Sequence, residues 1–389
     1  MSELDTANNQ GGYSHKERNS NLELLRIIAM LAIVAHHSVV NSGITENYDF
    51  SNITANMVFL QLWGMWGKTA INAFVMITGY FMCTSKLTWK RFLKMWMEAR
   101  FYKVVFFIIF CFAGYETITA KSVFKLVFSY ISGVNNGFVS SFLVFYLFIP
   151  FMNAMIEKLS QKDLQKLIVL LLGMFTAAST FFFNSVVFHY VFWYMTLYFA
   201  AAYVRIYPNR WTESRRFNGT VLTVTMLLSY LTVVVVDFVG TKVGFTNTYY
   251  MVSDSNKLFA FIIGVSAFLF FKNTPIKNNR FVNVVASTTF GVLLIHANSA
   301  AMRQWLWKDL LHLPSLYTAA FPKLVAIYIL VMLGVFTVCS LIDYIRIQVL
   351  EKPVFNIINR NTEKIERGFN RLSLTVSEFA RSISANIKT

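Results

Sequence analysis

Long apolar runs separated by short polar links fill the chain from residue 22 to residue 342. A helix that crosses a bilayer needs about 20 mostly apolar residues. Runs of that character extend from Leu22 to Val40, Met57 to Met82, Phe92 to Phe112, Val139 to Met155 and Leu167 to Phe183. They continue from Val187 to Val204, Val221 to Val239, Leu258 to Phe271, Val282 to Trp305 and Leu324 to Ile342. The pattern predicts an all-α integral membrane protein, a bundle of about ten transmembrane helices. A polar segment, 1–20, precedes this domain, which spans 21–346, and a polar tail, 347–389, follows it. The stretch "LTVSEFARSI" in that tail has the alternation of a helix lying on a membrane surface.

Charges in the links set an orientation. Lys16 and Arg18 precede the first run, whereas the next link holds Glu46 and Asp49 but neither Lys nor Arg. Basic residues return in every second link: Lys86, Lys90, Arg91 and Lys94, then Lys158, Lys162 and Lys166, then Arg210, Arg215 and Arg216, then Lys272, Lys277 and Arg280. Lys121, Lys125, Lys242 and Lys308 are exceptions in the intervening links. The positive-inside rule then places both termini in the cytoplasm, as an even number of helices requires. The first 20 residues lack an apolar core followed by a small-residue cleavage site, so no signal peptide is expected.

Composition agrees with the pattern: of 389 residues, 56% are hydrophobic and only 14% charged, well short of the quarter usual in soluble domains. The net charge of +16 would suggest nucleic acid in a soluble protein; here it marks basic loops that meet anionic lipid headgroups, and no nucleic-acid motif accompanies it. Cys83, Cys111 and Cys339 sit in or beside apolar runs without metal-ligand spacing, so neither disulfides nor a metal site is expected.

Three polar groups stand inside the first run, "NLELLRIIAMLAIVAHHSVV": Arg26, His36 and His37. Arg26 and His37 are 11 positions apart, which at ~100° per residue brings them back to within ~20° of one helix face, roughly 16 Å apart. His36 points ~80° from Arg26 and is expected to serve packing or hydrogen bonding. The competing readings are that Arg26 snorkels to headgroups and that His37 is a hydrogen-bonded histidine between helices. Ionisable groups inside a membrane are nevertheless functional candidates by default. His296, in "TTFGVLLIHANS" on the ninth run, lies at a depth similar to that of His37. Within "INAFVMITGYFM", Asn72, Thr78 and Gly79 interrupt an apolar run, and Gly79 suits close helix packing. Glu98, on the third run near Arg100, is deep enough to need a cationic partner, with Arg26 one candidate.

Together these residues resemble acyltransferase family 3, integral membrane acyltransferases that typically modify bacterial envelope glycans. Arg26 and His37 fit the family's first-helix pattern of Arg, ten residues, His. "INAFVMITGY" is similar to its Val-Asp-Leu-Phe-Phe-Val-Leu-Ser-Gly-Phe stretch, and "STTFGVLLIH" to its Thr-Phe-Gly-Val-Tyr-Leu-Leu-His segment. "FYLFIPFMN" and "LIDYIR" resemble the usual endings of its fourth and tenth helices, so the likeness spans most of residues 20–346 in order. The chain departs at Asn72, where the family has Asp, and at Thr78, where it has Ser, so an acidic role for the first is lost. Lys90, Arg91 and Lys94 only approximate an Arg-rich stretch, and a Pro often found there is absent. Without a hydrolase-like domain after the bundle, the chain is similar to the single-domain branch seen in Gram-positive bacteria.

The resemblance implies transfer of an acyl group, usually acetyl, from cytoplasmic acetyl-coenzyme A or another acyl-coenzyme A to a sugar hydroxyl at the outer face of the bacterial cytoplasmic membrane. The coenzyme is then a co-substrate and not a bound cofactor, and the acceptor is an envelope polysaccharide or a lipid-linked glycan. A hydroxyl needs a base near neutral pH, which points to His37 as base or transient acyl carrier. The candidate catalytic set is His37, Arg26, His296 and Glu98. Arg26, Lys90, Arg91, Lys94 and Arg100 are candidates for the coenzyme's phosphates, with positive-inside anchoring as the competing reading. Tyr249, Tyr250, Trp305 and Trp307 can stack on sugars or form the interfacial aromatic belt, and "KSVFKLVFSYISG" can lie on the membrane surface. The main rival is an exporter or flippase of a polysaccharide or lipid-linked precursor; a scaffold or sensor, indifferent to both histidines, ranks third.

Overall fold

The structure, a computed structural model, describes residues 19–132, 137–182 and 189–362. The tail stretch "LTVSEFARSI" and most of the amino-terminal segment lie outside these residues. Among the described residues the chain is all helical, with no strand. The helices are α1 (Ser20–Val40), α2 (Ala55–Gly64), α3 (Gly67–Met82), α4 (Trp89–Phe112), α5 (Ala120–Ser132) and α6 (Phe138–Lys158). There follow α7 (Gln161–Phe181), α8 (Tyr190–Ile206), α9 (Arg215–Phe238), α10 (Leu258–Lys272), α11 (Arg280–His296), α12 (Ala300–Leu310), α13 (Phe321–Arg346) and α14 (Lys352–Arg360). Packing divides the chain into residues 1–339 and 340–389. In the second unit Arg346 bonds Asp343 at 2.7 Å and Glu351 at 3.0 Å, which ties the end of α13 to the wide turn before α14.

Among the described residues each expected run falls mainly on helix, and five helices are long and apolar enough to cross a membrane: α1, α6, α7, α9 and the stretch Phe321–Arg360. The bent pair α11 and α12 makes a sixth if it counts as one span. The other expected spans are shorter, with 16 residues in α3, 17 in α8 and 15 in α10. In α4 the obstacle is charge, since Lys90, Arg91, Lys94, Glu98, Arg100 and Lys103 all fall within it.

Two expected helices are broken. Met57–Met82 is not continuous: Met65 and Trp66 separate α2 from α3. The break frees the Gly64 carbonyl, which accepts a hydrogen bond from Nδ1 of His36 on α1. Gly67 is required there, because a Cβ would overlap the His36 ring. Val282–Trp305 is likewise two pieces, bent by 95° directly after His296. Ser299 caps the second piece by accepting from the Met302 N–H.

α3 is the hub, packed against α1, α8 and α10. At its crossing with α8, a Cβ on Gly79 would come within 2.8 Å of the Ala201 Cβ, so only glycine allows this approach. Asn72 fastens α3 to α10 and α8: its amide donates to Ser255 O at 2.7 Å and Ala260 O at 3.0 Å and accepts from Trp193 Nε1 at 3.0 Å. All its strong hydrogen-bonding capacity but one lone pair is used inside the core. The role is structural, and it explains why an amide stands where the resembled pattern has a carboxylate. α1 lies between two apolar cores, giving Leu22 and Leu25 to one and Ala29 to Val39 to the other.

Candidate functional site

Along the face of α1 that carries Arg26 and His37 run two cavities. The first, about 290 Å³, meets Arg26, Met30 and Ile33 of α1, and is otherwise walled mainly by Phe, Met and Leu from α3, α4, α6 and α11. The second, about 510 Å³, meets Ile33, His36, His37 and Val40 and is far more polar, with Lys68, Lys103, Ser140, Tyr190, Asn298 and Arg303 in its wall. Ile33, Phe138 and Leu293 belong to both linings. The cavities therefore abut at an apolar wall that includes Ile33 of α1.

His37 and His296 meet in the wall of the second cavity, with His37 Nδ1 at 2.9 Å from His296 Nε2. His296 is fully buried at the end of α11, and its Nδ1 lies 2.6 Å from the Val292 carbonyl. A carbonyl only accepts, so His296 carries its proton on Nδ1 when neutral. Its Nε2 is then a lone pair, and His37 must donate from Nδ1. That assignment leaves Nε2 of His37 unprotonated, on the one residue of the pair that lines the cavity. Trp307, fully buried, closes the far side of His296 edge-on at 6.3 Å between ring centroids. This tryptophan backs His296 from outside the cavity lining and has no open face for a sugar.

Of the other candidate residues, Arg26 pairs with Glu23 one turn earlier on α1, at 3.5 Å, and not with Glu98. The depth of Glu98 makes Arg26 one candidate partner, but Arg26 has an i, i+3 partner on its own helix. Glu98 is buried on α4. Arg91 reaches Met82, in the wall of the first cavity, with Nη1 at 3.7 Å from the sulfur, and both Arg91 and Arg26 act electrostatically on Tyr146 of the same wall. Lys90 lies against the Trp89 ring and Lys94 is exposed on the same first turns of α4. Arg100 is directed elsewhere: it donates to the Leu126 carbonyl of α5 at 2.7 Å. Tyr250 is committed to the Thr180 carbonyl at 2.7 Å, while Trp305 is exposed and edges onto Phe110.

Sequence reasoning missed the cations of the second cavity. Lys68 donates to the Tyr190 hydroxyl at 2.6 Å and stands 3.5 Å from Asp254, and Tyr190 in turn donates to Asp254 at 2.9 Å. Lys103 donates to the Asn298 carbonyl at 3.0 Å, in the bend after His296. Arg303 stands on α12, where its Nε is 3.4 Å from the Ser299 carbonyl. Lys68 and Lys103 lie inside predicted spans, so the same rule that singled out Arg26 and His37 would have found them. Among the described residues no group of three or more His, Cys, Asp or Glu could hold a metal ion.

A family model described as an acyltransferase domain matches residues 19–344, nearly the whole described region. No curated protein and no solved structure matches the chain.

Proposed function

The chain belongs to acyltransferase family 3 and is a membrane acyltransferase, and from that premise we propose that it moves an acyl group, most simply acetyl, from a cytoplasmic coenzyme A thioester to a hydroxyl of an envelope glycan at the outer face. The observation that carries this reading is the pair of abutting cavities on one face of α1, with Arg26 in the first and His37 in the second. The first cavity suits the donor: an apolar chamber for the thioester arm with Arg26 and Arg91 at hand for phosphate. The second suits a sugar, since its wall supplies hydroxyl, amide and ammonium groups. The orientation that goes with this reading puts both termini, Lys90, Arg91 and Lys94 on the cytoplasmic side.

Chemistry then takes place where the cavities meet. Nε2 of His37 accepts the proton of the acceptor hydroxyl while its oxygen attacks the thioester carbonyl carbon. The tetrahedral intermediate collapses with loss of the coenzyme thiolate, which takes a proton back from His37. His296 fixes the imidazole so that the lone pair stays on the cavity side, and spreads the positive charge that forms. The apolar residues common to both cavities, Ile33, Phe138 and Leu293, would limit water at the donor until both substrates are in place.

The test uses purified protein in nanodiscs, labelled acetyl-coenzyme A and a soluble sugar acceptor. Wild-type protein is expected to incorporate label, and His37→Ala to lose about 10²–10⁴-fold in rate with normal insertion and melting. Full activity in His37→Ala would overturn the role of His37. Glycan movement across the membrane of sealed proteoliposomes without acyl incorporation would favour an exporter.

A further inference from the structure

Three cations converge on the second cavity from three different helices: Lys68 on α3, Lys103 on α4 and Arg303 on α12. No acidic residue is among the described residues that line it. Gathering like charges in one chamber costs free energy, which groups of opposite sign offset. Two carboxylates do so from behind the wall: Asp254 on Lys68, and Glu116, which acts electrostatically on Lys103. Asp254 also acts on Lys257, so the two carboxylates do not offset the three cations fully and the wall keeps a positive surplus. Arg303 donates from Nε to Ser299 O at 3.4 Å and stands exposed in the lining of the chamber.

We propose that this chamber binds an anion carried by the acceptor itself, a phosphodiester or carboxylate on the glycan close to the hydroxyl that is acylated, seated between Lys68, Lys103 and Arg303. This inference rests on the acyl-transfer reading. A positive wall suits an anionic group, and a guanidinium edge pairs with either a phosphodiester or a carboxylate in a bidentate way. Lys68 and Lys103 are each pinned by neighbours, at Tyr190 and at the Asn298 carbonyl, so the anion meets cations already in position. Lys103 and Arg303 flank the bend that follows His296, on either side of Asn298 and Ser299. An anion held there places its sugar beside His37. The charge serves to position the acceptor, and the step chemistry is that of the histidine.

A matched acceptor series separates the possibilities: a neutral disaccharide, the same disaccharide bearing a methyl phosphodiester, and one bearing a carboxylate. With wild-type protein in zwitterionic nanodiscs at low salt, one of the anionic acceptors should show kcat/KM at least about tenfold above the neutral one, chiefly through KM, as expected for one charge-assisted contact. Which anion gains identifies the source of the charge. Arg303→Gln and Lys103→Gln should each bring the ratio of anionic to neutral kcat/KM toward one. Equal use of all three acceptors by wild type, or an equal loss on charged and neutral acceptors in both variants, would overturn the inference, the latter pointing to stabilisation of the reaction's own oxyanion. Binding of the labelled phosphodiester and carboxylate disaccharides to His37→Ala protein, by equilibrium dialysis, reads the site without chemistry. Salt-sensitive binding that Arg303→Gln weakens supports the anion site even if no acceptor is acylated. Absence of binding for both, or its elimination by phosphatidylglycerol in the disc, would overturn the assignment to the acceptor.

Discussion

Replacing His296 by Leu separates a base from the group that orients it. The side chain is fully buried, 2.9 Å from His37 Nδ1, so the substitution removes the acceptor and supplies no water in its place. His37 then either keeps an unbonded buried N–H, at a cost of about 1–3 kcal/mol, or turns and changes tautomer to escape it. Either way the state with a lone pair on Nε2 facing the cavity loses about that much free energy. At 1.36 kcal/mol per factor of ten, kcat should fall roughly 5- to 150-fold. Removing the base outright costs about 10²–10⁴-fold, so His296→Leu should lie between wild type and His37→Ala. A glutamine at this position can present a carbonyl oxygen to the same N–H, and His296→Gln should recover part of the loss. The assay is acetyl incorporation with kcat and KM resolved separately, alongside the melting temperature of each purified variant. Wild-type kcat in His296→Leu, equal losses in the Leu and Gln variants, or a change confined to KM would refute the orienting role.

Two further substitutions probe what holds the site. Gly67→Ala pushes a methyl into the His36 ring that bonds the Gly64 carbonyl; about 1–3 kcal/mol of overlap plus about 1 kcal/mol for the bond should appear as a lower melting temperature. Adding His36→Ala should recover the overlap part, and additive losses in the double variant would count against the packing account. Asn72→Asp restores the resembled family's residue, yet it deletes donations at 2.7 and 3.0 Å and sets a carboxylate against two carbonyls. It should destabilise by about 2–5 kcal/mol in thermal unfolding without raising activity. A stable and more active Asp variant would show that the position had kept a catalytic use.

Period and spacing made the shared face of Arg26 and His37 legible, because one helix fixes the angle between two of its own residues. Similar depth for His296 could be read by counting from each helix start, but contact could not, since it depends on how α1 and α11 cross. Glu98 shows the limit: a buried carboxylate signals a partner without naming one, and Arg26 had Glu23 nearer at hand. The helix breaks escaped altogether. Apolar content runs through Met65 and Trp66 and through Ala297, so hydropathy joins what backbone geometry separates. Gly64 and Gly67 were the only local hint of the first break. Lys68 and Lys103 were legible one by one as cations inside predicted spans, but with Arg303 they are scattered over the chain, and only the fold gathers them into one wall.

Those breaks account for the adjacent histidines on α1. A helix interrupted inside a membrane leaves carbonyls and N–H groups that no water can satisfy, and each must find a protein partner or line a wet cavity. The break after α2 presents the Gly64 carbonyl to one side of α1, and the end of α11 presents His296 to another. Successive residues on a helix diverge by ~100°, so one residue cannot serve both directions and two neighbours can. His36 takes the first and His37 the second, with their ring centroids 5.5 Å apart. His36 is thus more than packing: by securing the α2–α3 break it also fixes Lys68, the second residue of α3, in the cavity wall. Loss of the His36 bond should therefore loosen acceptor binding before it touches the donor side. A rise in acceptor KM in His36→Ala, with the acetyl-coenzyme A KM within about twofold of wild type, is the expected result. A change of the donor KM alone would contradict this division of labour between the two histidines.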